Sequence, residues 1–292
     1  MKILLTGATG FIGRRLSGLA ESRGHQILPV SRKPRPGGFD WSRGSLEAGV
    51  EAADAIVHLA GENLFGKRWT EAQKKVLVES RVETTGRLAQ LAAKRRPVAF
   101  LSASAIGYYG PSERQGLDES APPGHDFLAD LTRRWEEATA PASAAGVRTV
   151  LLRSGIVLGR EEGALKQMLP PFKLGIGGPI GSGRQWFSWI HVIDEVELIL
   201  FLLESQTASG PFNLTAPNPV TMREMARTLG KTLHRPAVLP VPGFALKAVL
   251  GDVADVLLAG QHVIPRHAME AGYSFRFPGL EEALRDLLDR KS

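Results

Sequence analysis

The chain has 292 residues, 43% of them hydrophobic, which is enough to bury the core of one large α/β domain and a smaller lobe. It contains no cysteine, which excludes disulfides and sulfur-ligated metal sites and suits a reducing cytoplasm. The formal net charge is +6, but the basic residues lie in small, separated groups without interleaved aromatic residues. This charge predicts an anionic cofactor or substrate rather than nucleic acid.

The apolar segments of the sequence do not indicate a membrane. The N-terminal "MKILLTGATG" runs straight from a short apolar stretch into glycines and lacks the cleavage site of a secretory signal. The most apolar helical run, "VELILFLLES", is too short to cross a bilayer of about 30 Å. We therefore predict a cytoplasmic protein with no membrane partner, and we predict no metal site.

Apolar runs and helical patterns alternate along the chain. The runs "KILLTGA", "HQILPVS", "DAIVHLAG", "PVAFLSASA" and "RTVLLRSGIVLG" are typical of strands buried on both faces, and "FIGRRLSGLAESRG" between the first two predicts a helix. This order predicts an α/β fold with a doubly wound parallel sheet. After Gly159 the sequence is rich in glycine and proline and predicts loops, and a further strand and helix set begins at "GPFNLTAPNP".

The change in composition after Gly159 predicts two domains. We predict a cofactor-binding domain over residues 1–165 with 188–205, and a smaller substrate-binding lobe over residues 166–187 with 206–292.

The stretch "TGATGFIG" places Gly7, Gly10 and Gly13 between the first strand and the first helix. Glycines there permit a tight turn, and the helix N-terminus offers N–H groups to a pyrophosphate, so the pattern predicts dinucleotide binding. The alternative is a turn that only packs strand against helix. The second strand ends in Ser31 and Arg32 instead of an acidic residue, which favours the 2′-phosphate of NADP(H), unless Arg32 is simply a solvated charge.

Several motifs occur in a familiar order: the glycine spacing, "HLAG" ending the fourth strand, "SASAIGYYG", "LLRSGIVLG" and "SWIHVID". With "LPPFKLGIGGPIGSGRQWFSWIH", "FNLTAPNPVT" and "RPAVLPVP", the chain resembles the extended short-chain dehydrogenase/reductases, the group of NAD-dependent epimerases and dehydratases. Over its whole length it is similar to an atypical, epimerase-like subgroup whose members end in a small domain of unknown function and are described as NADP-dependent oxidoreductases.

The resemblance implies a set of site residues. The residues implied at the cofactor's diphosphate are Gly7, Thr9, Gly10, Phe11, Ile12 and Gly13, and those at its adenosine ribose phosphate are Ser31 and Arg32. Those beside its ribose are Leu59, Ala60 and Gly61. Ser102 and Ser104 are implied near the nicotinamide, with Ser104 holding the substrate oxygen.

The catalytic tyrosine and lysine of that family are missing. They belong on the helix after the active-site strand, but "DFLADLTRRWEEATA" contains neither, and alignment on Glu136 puts Leu128 and Thr132 in their places. Arg81 in "ESRVETTG" stands where the family has asparagine, and its charge is a candidate substitute for the lysine. It is therefore predicted among the cofactor-binding residues.

Four side chains are candidates for the missing proton donor: Tyr108, Tyr109, Asp130 and His191. The alternatives are that the tyrosines are rim aromatics, Asp130 a solvated helix charge and His191 a satisfied histidine near a helix start. Of the four, Tyr108 and Tyr109 are predicted as catalytic residues, together with Ser104.

On the substrate side, charged and aromatic residues predict contact with an anionic or ring-bearing small molecule. They are Lys67, Arg68, Arg184, Trp186 and Trp189. Three functions remain open at this point. They are an NADP(H)-dependent oxidoreductase for a small carbonyl or hydroxyl compound, a sugar-nucleotide epimerase, and an NADP(H)-responsive binding protein without turnover. This fold often buries helices in a dimer interface, so a homodimer is compatible with the sequence.

Overall fold

Six parallel strands form the central sheet in the computed structural model, which describes residues 1–34 and 36–289. The strands are β1 (Lys2–Thr6), β2 (Gln26–Val30), β3 (Ala55–His58), β4 (Ala99–Ala105), β5 (Thr149–Ser154) and β9 (Gly210–Leu214), in the order β2-β1-β3-β4-β5-β9. The order reverses at β1, which pairs with β2 on one side and β3 on the other. A crevice for a ligand is expected at such a point, outside the carboxyl ends of the strands.

The remaining strands are short and lie beside the sheet. Strand β6 (Ile156–Leu158) pairs in parallel with β8 (Trp189–His191), and β7 (Trp186–Phe187) pairs antiparallel with β10 (Val220–Thr221).

Helices cover both faces of the sheet. The helices are α1 (Phe11–Ser22), α2 (Arg43–Ala52), α3 (Glu71–Val78), α4 (Thr84–Arg95), α5 (Phe127–Glu137), α6 (Ala140–Ala144), α7 (Gly163–Lys173), α8 (Val192–Glu204), α9 (Met222–Leu233), α10 (Gly243–Leu250), α11 (Val253–Leu258), α12 (Arg266–Glu270) and α13 (Leu280–Asp289). A π-helical turn spans Glu79–Glu83 and a 3₁₀ turn spans Ile106–Tyr109.

Alternate residues of β1 explain why its sequence is continuously apolar. Ile3 and Leu5 pack in one core with Leu16 and Ile199, whereas Leu4 packs with Leu88 in the core on the opposite face. Successive side chains of a strand point to opposite faces, so a strand with helices on both sides needs apolar residues at every position. The predicted doubly wound parallel sheet is confirmed.

Three details differ from the sequence prediction. The strand that ends in "HLAG" is third along the chain and not fourth; from β2 to it, the described residues form a single bridge, from Val30 to Phe39, and no further strand. Helix α7 lies in the segment predicted as loop, with Pro170 and Pro171 inside it. Strand β9 belongs to the main sheet although it falls within the range predicted for the smaller lobe, because it pairs with β5 from Val150 to Ser154.

A third core lies under α7, α9 and α13. Trp189 from β8 is completely buried there with Leu169, Met225 and Leu284. Within the described parts of the chain, no helix is long and apolar enough to cross a lipid bilayer.

Candidate active site

The glycine-rich turn after β1 has a backbone that only glycine fits. Gly7 has φ of +74°, and a Cβ there would lie 2.9 Å from the carbonyl carbon of Leu59. A Cβ at Gly13 would lie 2.1 Å from the carbonyl oxygen of Gly7, while the Gly10 N–H donates to that same oxygen at 2.9 Å. Glycine at these positions lets the turn, the start of α1 and the end of β3 approach closely.

Helix α1 begins in this turn without a capping side chain. Gly10 is its N-cap residue and has extended backbone angles, and the first backbone bond into the helix is donated by Arg14 to the Gly10 carbonyl. The N–H groups of the first turn therefore offer donors and the positive end of the helix dipole to an anion. This arrangement fits the diphosphate of a dinucleotide cofactor.

A buried polar pair holds the ends of β1 and β3 together. The Thr6 hydroxyl accepts from the Ala60 N–H at 3.2 Å and lies 2.6 Å from Nδ1 of His58. Burial, with a smaller effect of the Arg81 charge, lowers the pKa of His58 to about 3, so the ring is neutral. Thr6 and His58 were not predicted, although a histidine inside an apolar strand is a signal for such a partner.

The predicted ribose-phosphate residues follow β2. Ser31 donates its backbone N–H to the Phe39 carbonyl at 3.0 Å, and Arg32 is exposed. Among the described residues, no carboxylate pairs with Arg32. An arginine with an unoccupied guanidinium at this strand end has the chemistry to hold a 2′-phosphate.

Arg81 lies in the π-helical turn and is 7% exposed. Its guanidinium donates to the Glu62 carbonyl at 2.9 Å and would lie 3.4 Å from a Cβ on Gly61. Burial lowers its pKa to about 10, opposed by the nearby Glu62. The structure thus brings Arg81 next to the Leu59–Gly61 segment, and π-helical turns often occur at functional sites.

The two serines predicted near the nicotinamide lie on β4 beneath the surface. Ser104 is 5% exposed and donates its hydroxyl to Glu136 at 2.5 Å, and Ser102 is 1% exposed. Glu136 in turn accepts two hydrogen bonds of 2.8 Å from Arg153. This buried ion pair was not predicted. An arginine within the apolar run of β5 was the available signal, because a charge in a buried strand needs a partner.

Tyr109 is a core residue. Its hydroxyl donates to Asn213 at 2.7 Å and accepts from Arg153 at 3.0 Å, and burial raises its pKa to about 12. Both bonds are internal and the ring is 4% exposed, which corrects the prediction that Tyr109 is a catalytic proton donor. Tyr108 is half-buried, with the Arg153 guanidinium 3.6 Å from its ring centre.

The two other proton-donor candidates have structural roles. Asp130 is on the exposed face of α5 and pairs with Arg133 at 2.7 Å. His191 is completely buried as the N-cap of α8, where Nδ1 accepts from the Ile193 N–H at 3.1 Å. Both match the alternatives stated from the sequence.

A cleft of about 630 Å³ lies beside the exit of β4. It is lined by Pro111, Ser112, Glu113, Ser182, Arg184, Gln185, Trp186, Leu258, Ala259 and Gly260. The structure therefore brings Arg184 and Trp186 together, whereas Lys67 pairs with Glu62 at 3.4 Å and Arg68 lies beside Gly251, outside this lining. The prediction that Trp189 contacts substrate is wrong, because its ring is completely buried in the third core and its indole N–H donates to the Asn218 carbonyl.

Known proteins match this chain over its full length. A model of the NAD dependent epimerase/dehydratase family matches residues 3–215, and a model of a domain of unknown function, DUF1731, matches residues 241–287. Epimerase family protein SDR39U1 of Mus musculus is 42% identical and covers 99% of this chain and 100% of its own. Epimerase family protein YfhF of Bacillus subtilis is 40% identical, with full coverage of both chains.

A solved structure agrees with these matches. The crystal structure of human epimerase family protein SDR39U1 (isoform 2) with NADPH is 40% identical to this chain, covers all of both chains and superimposes with a TM-score of 0.93. The resemblance drawn from the sequence motifs is confirmed. The chain belongs to the NAD-dependent epimerase/dehydratase family and carries the DUF1731 domain at its C-terminal end.

Proposed function

We propose that this protein is an NADP(H)-dependent oxidoreductase that exchanges hydride with a small, polar or anionic carbonyl or hydroxyl compound. The observation that carries the proposal is the turn at Gly7 and Gly13, where added side chains would collide with backbone, at the open N-terminus of α1. The bound nicotinamide supplies or accepts the hydride. We place the activity in the cytoplasm, and a homodimer stays a prediction.

NADP(H) is the cofactor that these residues fit. Gly7, Thr9, Gly10, Phe11, Ile12 and Gly13 hold its diphosphate, Ser31 and Arg32 its ribose phosphate, and Leu59, Ala60, Gly61, Arg81 and Ser102 the rest of the molecule. NADPH in the human relative, which shares the whole fold, supports this assignment.

We assign substrate orientation and proton transfer to a few side chains. Ser104 is assigned to the substrate oxygen; its hydroxyl donates to Glu136 at 2.5 Å, so it would have to turn away from that carboxylate to donate to a substrate carbonyl. Tyr108 is a half-buried tyrosine and remains the candidate proton donor, with the Arg153 guanidinium 3.6 Å from its ring centre. Lys67, Arg68, Arg184 and Trp186 offer charge and a ring surface to the substrate. Arg81 supplies the cation beside the cofactor, so Arg81→Ala should weaken NADPH binding.

One observation favours a second function, an NADP(H)-responsive binding protein without turnover. At the positions of the family's tyrosine and lysine, α5 carries Leu128 and Thr132, and the Thr132 hydroxyl donates to the Leu128 carbonyl at 2.7 Å. These side chains pack near Gly107 on the turn that follows β4. An apolar contact there replaces the usual proton donor.

Deuterium transfer separates the two functions. NADPH deuterated at C4 of the nicotinamide, in both stereochemical forms, is incubated with the protein and a panel of aldehydes and ketones, and products are analysed by mass spectrometry. We expect a deuterated alcohol with the wild-type protein and none with Gly13→Ala. Tight NADPH binding without any transfer across the panel would instead support the binding protein.

A further inference from the structure

The smaller lobe contains a second cavity, of about 710 Å³, that is remote in sequence from the glycine-rich turn. Its charged lining comes from Arg223, Arg227 and Lys231 on α9, with Arg235 just beyond the helix. Residues four positions apart lie on one face of a helix, so the first three form a single row. Among the residues that the structure describes, no acidic one lines the cavity.

This row of cations is only partly neutralised within the described residues. Lys231 pairs with Glu281 at 2.8 Å. Over residues 1–34 and 36–289, however, no carboxylate pairs with Arg223, Arg227 or Arg235. The nearby Glu224 is engaged with Thr221 in the cap of α9. Like charges at this spacing repel one another, and Arg223 lies in the first helical turn, where the dipole disfavours a cation.

Backbone carbonyls fix two of the guanidinium groups at the rim. Arg223 donates to the Ser182 carbonyl at 3.1 Å, and Arg235 donates to the Lys173 carbonyl at 3.2 Å. Arg227 lies between them and makes no hydrogen bond or ion pair with the described residues. A planar guanidinium with free N–H donors is suited to two parallel bonds to a phosphate group.

Close backbone approaches build the floor of the cavity. A Cβ on Gly230 would lie 2.6 Å from Cβ of Ala237, and a Cβ on Gly178 would lie 2.0 Å from the Leu239 carbonyl oxygen. These glycines let the segment after α9 lie directly on the helix and on the preceding loop. The resulting floor is apolar but open to solvent: it consists of Pro179, Ala237, Val238 and Pro240, and Val238 is 74% exposed.

We propose that this cavity, built by α9 and residues 179–182 and 235–240, is a second binding site, for a small organic phosphate whose phosphate meets Arg223 and Arg227 and whose apolar part rests on Pro179 and Val238. A concave volume of this size suits a small molecule. Ser182 lines both this cavity and the cleft beside β4, so the occupant contacts the loop that carries Arg184 and leads into Trp186 at the start of β7.

Calorimetric titration with phenyl phosphate tests the site on the full chain saturated with NADPH, so that the glycine-rich turn is already filled. We expect saturable binding, tighter than that of inorganic phosphate because the ring covers the apolar floor. Arg227→Ala removes no internal hydrogen bond or ion pair and should weaken phenyl phosphate binding about tenfold or more. The control Arg43→Ala/Arg95→Ala removes two exposed charges on α2 and α4 and should bind as the wild type does.

Three results would overturn the proposal. They are no saturable binding by the wild type, equal affinity for phenyl phosphate and inorganic phosphate, or an equal loss in the control. A short DNA duplex that displaces phenyl phosphate and binds tighter, through Arg227, would assign the surface to nucleic acid instead. NADPH affinity is measured separately for every variant, so a failure of the proposed function is distinguished from a failure of this site.

Discussion

Gly13 is the third residue of α1, in its first turn, where its missing side chain decides whether the glycine-rich turn can form. A Cβ would lie 2.1 Å from the Gly7 carbonyl oxygen, a distance that the backbone cannot accept without moving. We expect Gly13→Ala to abolish NADPH binding in a fluorescence titration. A Cβ on Gly18 in the same helix would meet no other group within 4 Å, so Gly18→Ala should bind normally and gain about 0.5–1 kcal/mol of stability. Equal affinity of the two variants would contradict the assignment.

The Tyr109 hydroxyl is expected to stabilise the fold and not to take part in turnover. Tyr109→Phe leaves Asn213 and Arg153 without their shared partner in the core. The free energy of unfolding in urea should fall by about 1–3 kcal/mol, because buried polar groups lose a bond. NADPH affinity should not change. Tyr108→Phe serves as the comparison and should leave stability nearly unchanged. A stable Tyr109→Phe protein with altered NADPH affinity would contradict this role.

Glu195 on α8 predicts a pH dependence of stability. Its carboxyl is completely buried, accepts a hydrogen bond of 2.6 Å from Ser154, and burial raises its pKa to about 8. The folded protein therefore holds a proton that the unfolded chain releases near its ordinary pKa, so stability falls as pH rises toward and through 8. Glu195→Gln should remove this loss.

The Glu195 prediction is checked by urea unfolding at pH 6 and pH 8.5. The advantage of Glu195→Gln over wild type should increase between these pH values, by an amount on the order of 1 kcal/mol or more. Glu197→Gln on the same helix changes a more exposed carboxylate that pairs with Arg23 and is the control. A pH-independent difference between Glu195→Gln and wild type would show that Glu195 is ionised in the fold.

At the scale of elements, one segment of the C-terminal domain joins the parts around the cleft. This segment spans residues 260–264. Its Gly260 carbonyl accepts from the Ser112 N–H at 3.1 Å, and its His262 carbonyl accepts from the Leu117 N–H at 2.9 Å. The Gln261 side chain donates to the Ile106 carbonyl at 2.8 Å, and its own backbone carbonyl accepts from the Ser188 hydroxyl at 2.7 Å. The DUF1731 domain is thus bonded directly to the chain that leaves β4.

Gly260 makes this junction sensitive to one methyl group. Its Cβ would lie 2.1 Å from the Trp186 carbonyl oxygen. Gly260→Ala should cost about 1–3 kcal/mol by overpacking, and hydrogen exchange at the amides of Ser112 and Leu117 should become faster. Gly86→Ala, where nothing lies within 4 Å of the new carbon, is the control. Unchanged exchange in Gly260→Ala would contradict the bridging role.

Elements formed by local pattern were predicted well from the sequence. The five apolar runs form strands, because a strand buried on both faces is apolar at nearly every position. The glycine spacing predicted the turn before α1. Helix α7 was missed because Pro170 and Pro171 suggested loop. Side-chain contacts were harder to predict from the sequence. Glu136 and Arg153 form an ion pair between two different elements. Whether Trp189 faces the core or the cleft depends on packing that no local pattern encodes.

For the whole molecule, the proposed cofactor site depends on one edge of the sheet. The turn after β1, the ends of β3, β4 and β5 and the residues that follow β2 all lie at the carboxyl edge of the parallel strands. Parallel pairing alone brings these distant segments together, which is why sequence motifs could indicate the cofactor. Arg32 is the first cation after β2 at this edge, and we propose that it recognises the 2′-phosphate.

The most direct test is a binding titration of the purified protein with NADPH and NADH, repeated on Arg32→Ala. We predict that NADPH binds at least tenfold tighter than NADH, since a charged bond to the 2′-phosphate is worth about 1.5–3 kcal/mol. Arg32→Ala should remove that preference and leave NADH affinity unchanged. Equal affinities in the wild type, or an undiminished preference in Arg32→Ala, would contradict the assignment of the cofactor site.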